Sequence, residues 1–189
     1  PPRLQAQDLS SDLLQGVCLS LAAGQVLCLD GPSGGGKSRL LRALADLDPC
    51  TGRVLLDGAP RESVPGPRWR RAVGLLPAEP AWWADTVGEH FPTGQVPYLE
   101  ALGFGPETGG WAVARLSSGE RQRLGLARLL AGAPRVLLLD EPTANLDPES
   151  TRRVEDLVLG LVRPGGPAVL WVTHDPAQAG RLGGRRSVR

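Results

Sequence analysis

The sequence has no long apolar run and no methionine. No apolar segment approaches the roughly 18 residues that a membrane-spanning helix needs, and the first residues lack the pattern of a signal peptide. These absences predict a protein that is soluble when expressed alone and that is either cytoplasmic or peripheral on a membrane. Because an initiating methionine is missing, we expect the chain to lack terminal residues as well.

The sequence also lacks an excess of charge and a cysteine framework. Lysine and arginine number 21 and aspartate and glutamate number 20, so the net charge of +1 gives no electrostatic case for nucleic acid as the main partner. The three cysteines, Cys18, Cys28 and Cys50, have no metal-ligand spacing, and their odd number argues against a disulfide framework. At 189 residues, the chain is long enough for a single domain with a substantial core.

Lysine is nearly absent, and the one lysine stands in a glycine-rich motif. The chain has 20 arginines, whereas Lys37 is its single lysine. Arginine cannot replace it easily at a phosphate site, because a compact ammonium group reaches the β- and γ-phosphates where a planar guanidinium does not fit. The motif G-x-x-x-x-G-K-[ST], a phosphate-binding loop, is formed here by Gly31, Pro32, Ser33, Gly34, Gly35, Gly36, Lys37 and Ser38.

The surroundings of this motif favour a phosphate-binding loop over a glycine-rich turn with an incidental Lys-Ser. The segment GQVLCLD before the motif is typical of a buried strand, and leucines follow it at helical spacing, at Leu40, Leu41, Leu44 and Leu47. Glycines allow successive N–H groups to surround phosphate oxygens at the start of a helix. Ser38 would then give its hydroxyl to Mg²⁺.

Apolar strand-like segments alternate with helical segments along most of the chain. Strands are predicted at GQVLCLD, GRVLLDG, RRAVGLL, RVLLLDE and AVLWVTH, and helices after Lys37, near 118–131 and near 148–162. This alternation predicts an α/β fold with a mainly parallel sheet flanked by helices.

One segment interrupts the alternation. Residues 78–116 contain scattered proline and glycine, and we expect a short inserted helical subdomain between two parts of the core, residues 1–77 and 117–189. A short helix within it is suggested by Tyr98, Leu99 and Leu102.

The strand RVLLLDEP ends in two acidic residues. Leu137 to Leu139 are expected to be buried, and Asp140 emerges at the carboxyl end of the strand, where open α/β sheets bind ligands. Asp140 can hold Mg²⁺ through water, and Glu141 can orient the attacking water. An apolar run before Asp-Glu is weak evidence alone, but about a hundred residues after a phosphate-binding loop it becomes strong.

The segment RLSSGERQRLGLARLL has two interpretations. Ser117 followed by Glu120 is a capping box before an amphipathic helix, and this explains both residues structurally. A Ser-Ser-Gly turn at a helix N-terminus is also an anion site, and its position between the phosphate-binding loop and the acidic strand favours this functional interpretation.

Five motifs, GPSGGGKS, LSSGE, LLLDEP, ANLD and VTHD, occur in an order that resembles the ATP-binding subunit of an ATP-binding cassette (ABC) transporter. The resemblance covers nearly the whole chain and implies a P-loop NTPase of ABC type that hydrolyses ATP with Mg²⁺. It implies two partners, a second copy in a head-to-tail dimer with ATP between the copies, and a polytopic membrane permease. The subunit would then lie on the cytoplasmic face of the membrane.

The resemblance gives roles to individual residues. Lys37, Glu141 and His174, the switch histidine, are implied to be catalytic, while Ser38 and Asp140 hold the metal. The signature loop, Leu116 to Glu120, would cap the γ-phosphate bound by the opposite subunit. The residues implied to contact ATP are Gly31, Pro32, Ser33, Gly34, Gly35, Gly36, Lys37, Ser38, Arg39, Ser117, Ser118, Gly119, Glu120 and Asp147.

Other features leave alternatives open. His174 can be structural, with Asp175 as its hydrogen-bond partner, whereas His90 has no motif context and is expected at the surface. The five tryptophans, including Trp82 and Trp83, suit a core or a partner interface. The sequence also departs from the family pattern: Ala78 stands where glutamine is usual, QDLSSDLLQG offers no ring for adenine, and the subdomain is short.

A narrower resemblance concerns the transported substrate. VGLLPAEPAWWADTVGEHFP with AVLWVTHD resembles a bacterial group of iron-efflux ATPases, which implies an exporter with a metal as its substrate. The alternatives are a soluble ABC ATPase acting on nucleic acid or ribosomes and a nucleotide-gated binding module with little hydrolysis.

Overall fold

Nine strands form two sheets in the part of the chain that the structure describes. The computed structural model describes residues 2–30 and 34–183, together with the backbone of residues 185–187. The strands are β1 (Pro2–Ser11), β2 (Leu14–Ala22), β3 (Val26–Asp30), β4 (Thr51–Leu56), β5 (Ala59–Pro60), β6 (Val73–Leu76), β7 (Val136–Asp140), β8 (Ala168–Val172) and β9 (Arg185–Ser187).

The larger sheet is parallel and has the order β6-β7-β8-β3-β9. All residues of β7 and β8 are buried, because cores cover both faces of the sheet. In β7, Leu138 packs into a core shared with the smaller sheet, whereas Leu137 and Leu139 point to the opposite core. The mainly parallel sheet is confirmed: all five predicted segments form strands, and four of them lie in this sheet.

The smaller sheet is antiparallel and has the order β2-β1-β4-β5. The predicted strand GRVLLDG lies in this sheet and not in the parallel one, since β4 pairs antiparallel with β1. Only Val54 and Leu56 of β4 are buried, which is the alternation of a strand with one face on the core. The sequence did not predict β1 and β2, whose polar residues and register shifts interrupt a simple strand pattern.

Five α-helices pack on the sheets in the described residues. They are α1 (Lys37–Leu44), α2 (Gly66–Ala72), α3 (Ser118–Ala131), α4 (Pro148–Leu161) and α5 (Pro176–Arg181). The three predicted helices correspond to α1, α3 and α4, although α1 ends before Leu47, which is 45% exposed. The side chains of Ser117, Asp147 and Asp175 cap the starts of α3, α4 and α5. None of the described helices has the length and apolar character to cross a membrane.

Residues 78–116, all of which the structure describes, form a compact segment without an α-helix. The short helix suggested by Tyr98, Leu99 and Leu102 is instead a series of turns, in which the Leu102 N–H donates to the Tyr98 carbonyl. Phe91 and Leu102 are buried in the core that also contains side chains of α3 and α4. The 3-10 helices of the segment are Gly88–His90, Pro106–Gly110 and Val113–Arg115.

His90 is buried, so its expected place at the surface is wrong. The side chain is 7% exposed because its Nε2 accepts hydrogen bonds from the backbone N–H groups of Trp83 and Ala84. Its Nδ1 lies 2.9 Å from the Thr86 carbonyl oxygen. The imidazole thus holds the loop that carries Trp83, whose own side chain is 71% exposed.

Candidate active site

The carboxyl ends of three neighbouring strands bring the main candidate residues together. The strands β7, β8 and β3 are adjacent in the sheet. Lys37 follows β3 at the start of α1, Glu141 follows β7 and His174 follows β8. Parallel strands end at the same edge, so these side chains meet at the edge where α/β sheets bind ligands.

The phosphate-binding loop lies along a cleft of about 290 Å³. Gly31, Pro32 and Ser33 lie outside the described residues, but Gly34 to Arg39 line the cleft together with Leu13, Glu141 and His174. No side chain among the described residues caps the start of α1. The start of α1, where a helix favours an anion, therefore lies at the cleft together with Lys37.

Gly36 permits the close approach of this loop to the β1–β2 hairpin. Its φ is +80°, and a Cβ there would lie 3.0 Å from the Leu13 carbonyl oxygen and 3.1 Å from a methyl group of Leu14. Both the backbone conformation and the contact require glycine.

Ser38 and Asp140 form a pair that fits Mg²⁺. Asp140 is 7% exposed, and the Ser38 side chain is close enough to influence its ionisation. Burial raises the pKa of Asp140, while the Ser38 side chain opposes the rise. A hydroxyl and a carboxylate are the hard oxygen donors that Mg²⁺ prefers, with water and phosphate completing its coordination. The described residues form no cage of three or more His, Cys, Asp or Glu side chains.

Glu141 and His174 are in direct contact. His174 Nε2 lies 2.6 Å from Glu141 Oε1, and both side chains are about one third exposed, 38% and 30%. Glu141 has a φ of +47°, a strained conformation for a residue with a side chain. Asp175, the structural alternative partner of His174, instead accepts a hydrogen bond from the Ala177 N–H at the start of α5. The histidine therefore faces the acid of the cleft.

The signature loop is capped within itself, as the structural interpretation predicts. Ser117 Oγ accepts from the Glu120 N–H at 3.2 Å, and Glu120 Oε2 accepts from the Ser117 N–H at 2.8 Å. Gly119 packs closely against Leu146 and the Asn145 carbonyl oxygen. Within one chain, the described residues of the phosphate cleft include none of the signature loop.

The predicted ATP contacts Asp147 and Arg39 have structural partners. Asp147 accepts from the N–H groups of Glu149 and Ser150, and hydrogen bonds with Ser150 are the main cause that lowers its pKa to about 2. Arg39 Nη1 lies 2.9 Å from Asp48 Oδ2. The guanidinium is thus paired with Asp48, although Arg39 still borders the cleft.

A second cleft, of about 320 Å³, adjoins the phosphate cleft and was not predicted. It shares Leu13 and Arg39 with the phosphate cleft, so the two are neighbours. Leu13 is 61% exposed at the tip of the β1–β2 hairpin, within the segment that offers no aromatic ring. The other residues that line it are Ser10, Ser11, Asp12, Ala43, Asp48, Pro49, Cys50 and Thr51.

Ala78 and Glu79 follow β6 and are exposed. Neither residue belongs to the described lining of the phosphate cleft.

Comparisons with known proteins show the family of the chain. The ABC transporter family model matches residues 14–144, which is more than half of the chain. STAR1 from Oryza sativa subsp. japonica is 39% identical in an alignment 184 residues long, which covers 90% of this chain and 53% of STAR1. The probable iron export ATP-binding protein FetA from Escherichia coli K12 is 33% identical over 92% of this chain and 85% of FetA. Other relatives are named as ATP-binding proteins of import systems.

A solved structure shows the same fold. A bacterial Atm1-family ABC exporter with ATP bound superposes with a TM-score of 0.86 at 23% identity, over all of this chain and 37% of the exporter chain. The chain spans about half the length of STAR1, so it corresponds to one part of that relative. The matched family, its motifs at one edge of the sheet and the shared fold lead to one conclusion: the chain belongs to the ABC transporter family and has the P-loop NTPase fold of its ATP-binding domains.

Proposed function

We propose that the chain is the Mg²⁺-dependent ATP-hydrolysing subunit of a bacterial-type ABC exporter. The observation that carries this proposal is the contact between Glu141 and His174 in the cleft that also contains Lys37. An acid at this place can orient water beside phosphates bound by the loop. Hydrolysis then proceeds by positioning and by stabilisation of charge on the phosphoryl group.

The residues of the cleft have separate roles in this reaction. The N–H groups at the start of α1 and the Lys37 ammonium group bind the phosphates and neutralise their charge. Ser38 and Asp140 would hold Mg²⁺, which supplies further neutralisation of the γ-phosphate when it is bound. Glu141 accepts a hydrogen bond from the attacking water, and His174 Nε2 keeps the carboxylate in place.

The second cleft provides the place for the base of the nucleotide. It begins at Leu13 and Arg39, which also border the phosphate cleft, so a nucleotide can extend from one into the other. An aliphatic side chain at position 13 offers apolar contact without ring stacking. We therefore expect the phosphates to supply most of the affinity.

A second copy would complete the site. The signature loop does not line the cleft of its own chain in the described residues, so Ser117 and Gly119 can reach a γ-phosphate only from another copy. The N-terminus of α3 would then add its N–H groups to the phosphate. ATP would hold two copies together, and hydrolysis would release them.

Export of a metal rests on the sequence resemblance and on the similarity to FetA, a probable iron export ATP-binding protein. The match to this chain covers 85% of the length of FetA. The permease would be a separate polytopic protein, with this subunit at the cytoplasmic face. Co-expression with a candidate permease should give a complex that lowers the iron content of cells. An increase in cell iron would contradict the export direction.

Phosphate release from ATP by the purified chain tests the activity itself. We expect release that requires Mg²⁺ and that is lost in Lys37→Ala, because the ammonium group can no longer neutralise the phosphates. Arg152→Ala, an exposed cation on α4, is the matched control and should retain the activity. Release that persists in Lys37→Ala would contradict the assignment of the cleft.

A further inference from the structure

The buried side chain of Gln178, on α5, joins the loop after β7 to helix α4. Gln178 Nε2 donates to Thr143 Oγ1 and to Glu155 Oε1, each at 2.8 Å. The residue is 2% exposed, so water does not compete for these bonds. Both hydrogens of the amide nitrogen are therefore used.

Glu155 determines which end of the amide faces Thr143. Its carboxylate also accepts from Arg181 Nη2 at 2.8 Å and from Nε at 3.2 Å. Desolvation opposes ionisation of Glu155, but the hydrogen bonds from Arg181 and Gln178 outweigh it and lower the pKa of Glu155. Since an ionised carboxylate only accepts, the amide must present its NH₂ group to Glu155, and that group also reaches Thr143.

Thr143 and Gln178 lie in the segments that follow Glu141 and His174 along the chain. Thr143 lies two residues after Glu141, and the Ala144 N–H donates to the Glu141 carbonyl oxygen at 3.2 Å. Gln178 lies on α5, the helix that begins two residues after His174. The hydrogen bond between Gln178 and Thr143 therefore fixes the distance between the segment after Glu141 and the segment after His174.

We propose that Gln178 is a positioning residue that holds Glu141 and His174 in contact for hydrolysis. The effect passes through Thr143, because this hydroxyl is the point where the glutamine meets the loop of the acid. Glu155 and Arg181 orient the glutamine from the opposite side. The kinetic consequence rests on the proposed ATP hydrolysis, whereas the structural consequence does not.

The first test needs no nucleotide. The NMR signals of the His174 ring report its contact with Glu141, and Glu141→Ala gives their position when that contact is absent. We expect Thr143→Val, which removes the bond with little change in volume, to move the signals toward that position. Thr108→Val is the matched control, because it removes a buried hydroxyl that donates to the Gly105 carbonyl oxygen far from the site.

Unchanged His174 signals in Thr143→Val would overturn the proposal, as would an equal movement in Thr108→Val. Gln178→Leu provides a second variant that breaks the same bridge from the other end. Melting curves show whether each variant is folded, and Thr143→Ser should restore the wild-type signals because it keeps the hydroxyl.

The second test measures phosphate release. Loss of one hydrogen bond predicts a decrease in kcat of roughly fivefold to tenfold in Thr143→Val, with KM for ATP nearly unchanged. In a His174→Ala background, Thr143→Val should have little further effect, because the contact that the bridge maintains is already missing. A full additional loss in that background would overturn the proposal. A wild-type protein that releases no phosphate would refute the proposed function, while the NMR comparison would still decide the role of Gln178.

Discussion

Replacing Gly36 with alanine tests how the phosphate-binding loop is held. Position 36 has a φ of +80°, and the Cβ of an alanine there would lie 3.0 Å from the Leu13 carbonyl oxygen. The left-handed conformation alone costs about 1–2 kcal/mol for alanine. The contact adds to this cost, because the oxygen belongs to the backbone beside the β1–β2 hairpin and cannot move as a flexible side chain would.

Gly58→Ala is the matched control for backbone strain. Its φ is +82°, but a Cβ there meets nothing within 4 Å, and the residue lies outside both clefts. Each kcal/mol lowers the melting temperature by roughly 2–4 °C in a domain of this size, so Gly36→Ala should melt several degrees below Gly58→Ala.

Calorimetric titration with ATP completes this experiment. If the loop is displaced, its N–H groups no longer align with the phosphates of ATP. We expect a loss of about 1.4 kcal/mol or more in binding free energy, which makes ATP binding at least tenfold weaker in Gly36→Ala. Gly58→Ala should bind ATP as the wild type does. Equal melting temperatures for the two variants, or wild-type affinity in Gly36→Ala, would refute the account of the loop.

Three further predictions concern single positions. Ala78→Gln should raise phosphate release by the isolated subunit, since a glutamine there would contact the metal and the water. Glu79→Ala should leave phosphate release unchanged. If Glu79→Ala instead lost most of the release and Ala78→Gln gave no gain, the role of the usual glutamine would belong to the Glu79 carboxylate. The affinities for ATP and GTP, measured by calorimetry, should lie within a few-fold of each other. Leu13 has no ring on which a base could stack, and such stacking is worth roughly 1–3 kcal/mol. A strong preference for ATP would show that another residue holds the base. Asp140→Asn should raise the melting temperature of the metal-free protein at neutral pH. Burial raises the pKa of Asp140, so the ionised carboxylate destabilises the fold, and the stability of the wild type declines as the pH rises through that pKa. An unchanged or lower melting temperature would contradict this assignment.

Much of the parallel sheet was predictable because its strands are short apolar runs between turns. β7 and β8 are buried along their full length, so their sequences contain little except apolar residues. The start of α3 was predictable for a similar reason, since the spacing of Ser117 and Glu120 is a local pattern.

Features that depend on distant residues were not predictable. GRVLLDG is a strand, but pairing with β1, some 45 residues earlier, decides that it belongs to the antiparallel sheet. His90 is buried because two backbone N–H groups converge on its ring, and no spacing in the sequence indicates this. The bridge from Gln178 to Thr143 joins residues 35 positions apart, so only the fold brings them together.

Phosphate release by Glu141→Gln tests directly whether this cleft hydrolyses ATP. The variant keeps the shape of the side chain and the phosphate-binding loop, so ATP should bind with wild-type affinity while turnover decreases by about 10² or more. Glu149→Gln, an exposed acid at the start of α4 that pairs with Arg153, should retain full turnover. Wild-type turnover in Glu141→Gln would contradict the proposed role of Glu141 and, with it, the mechanism at this cleft.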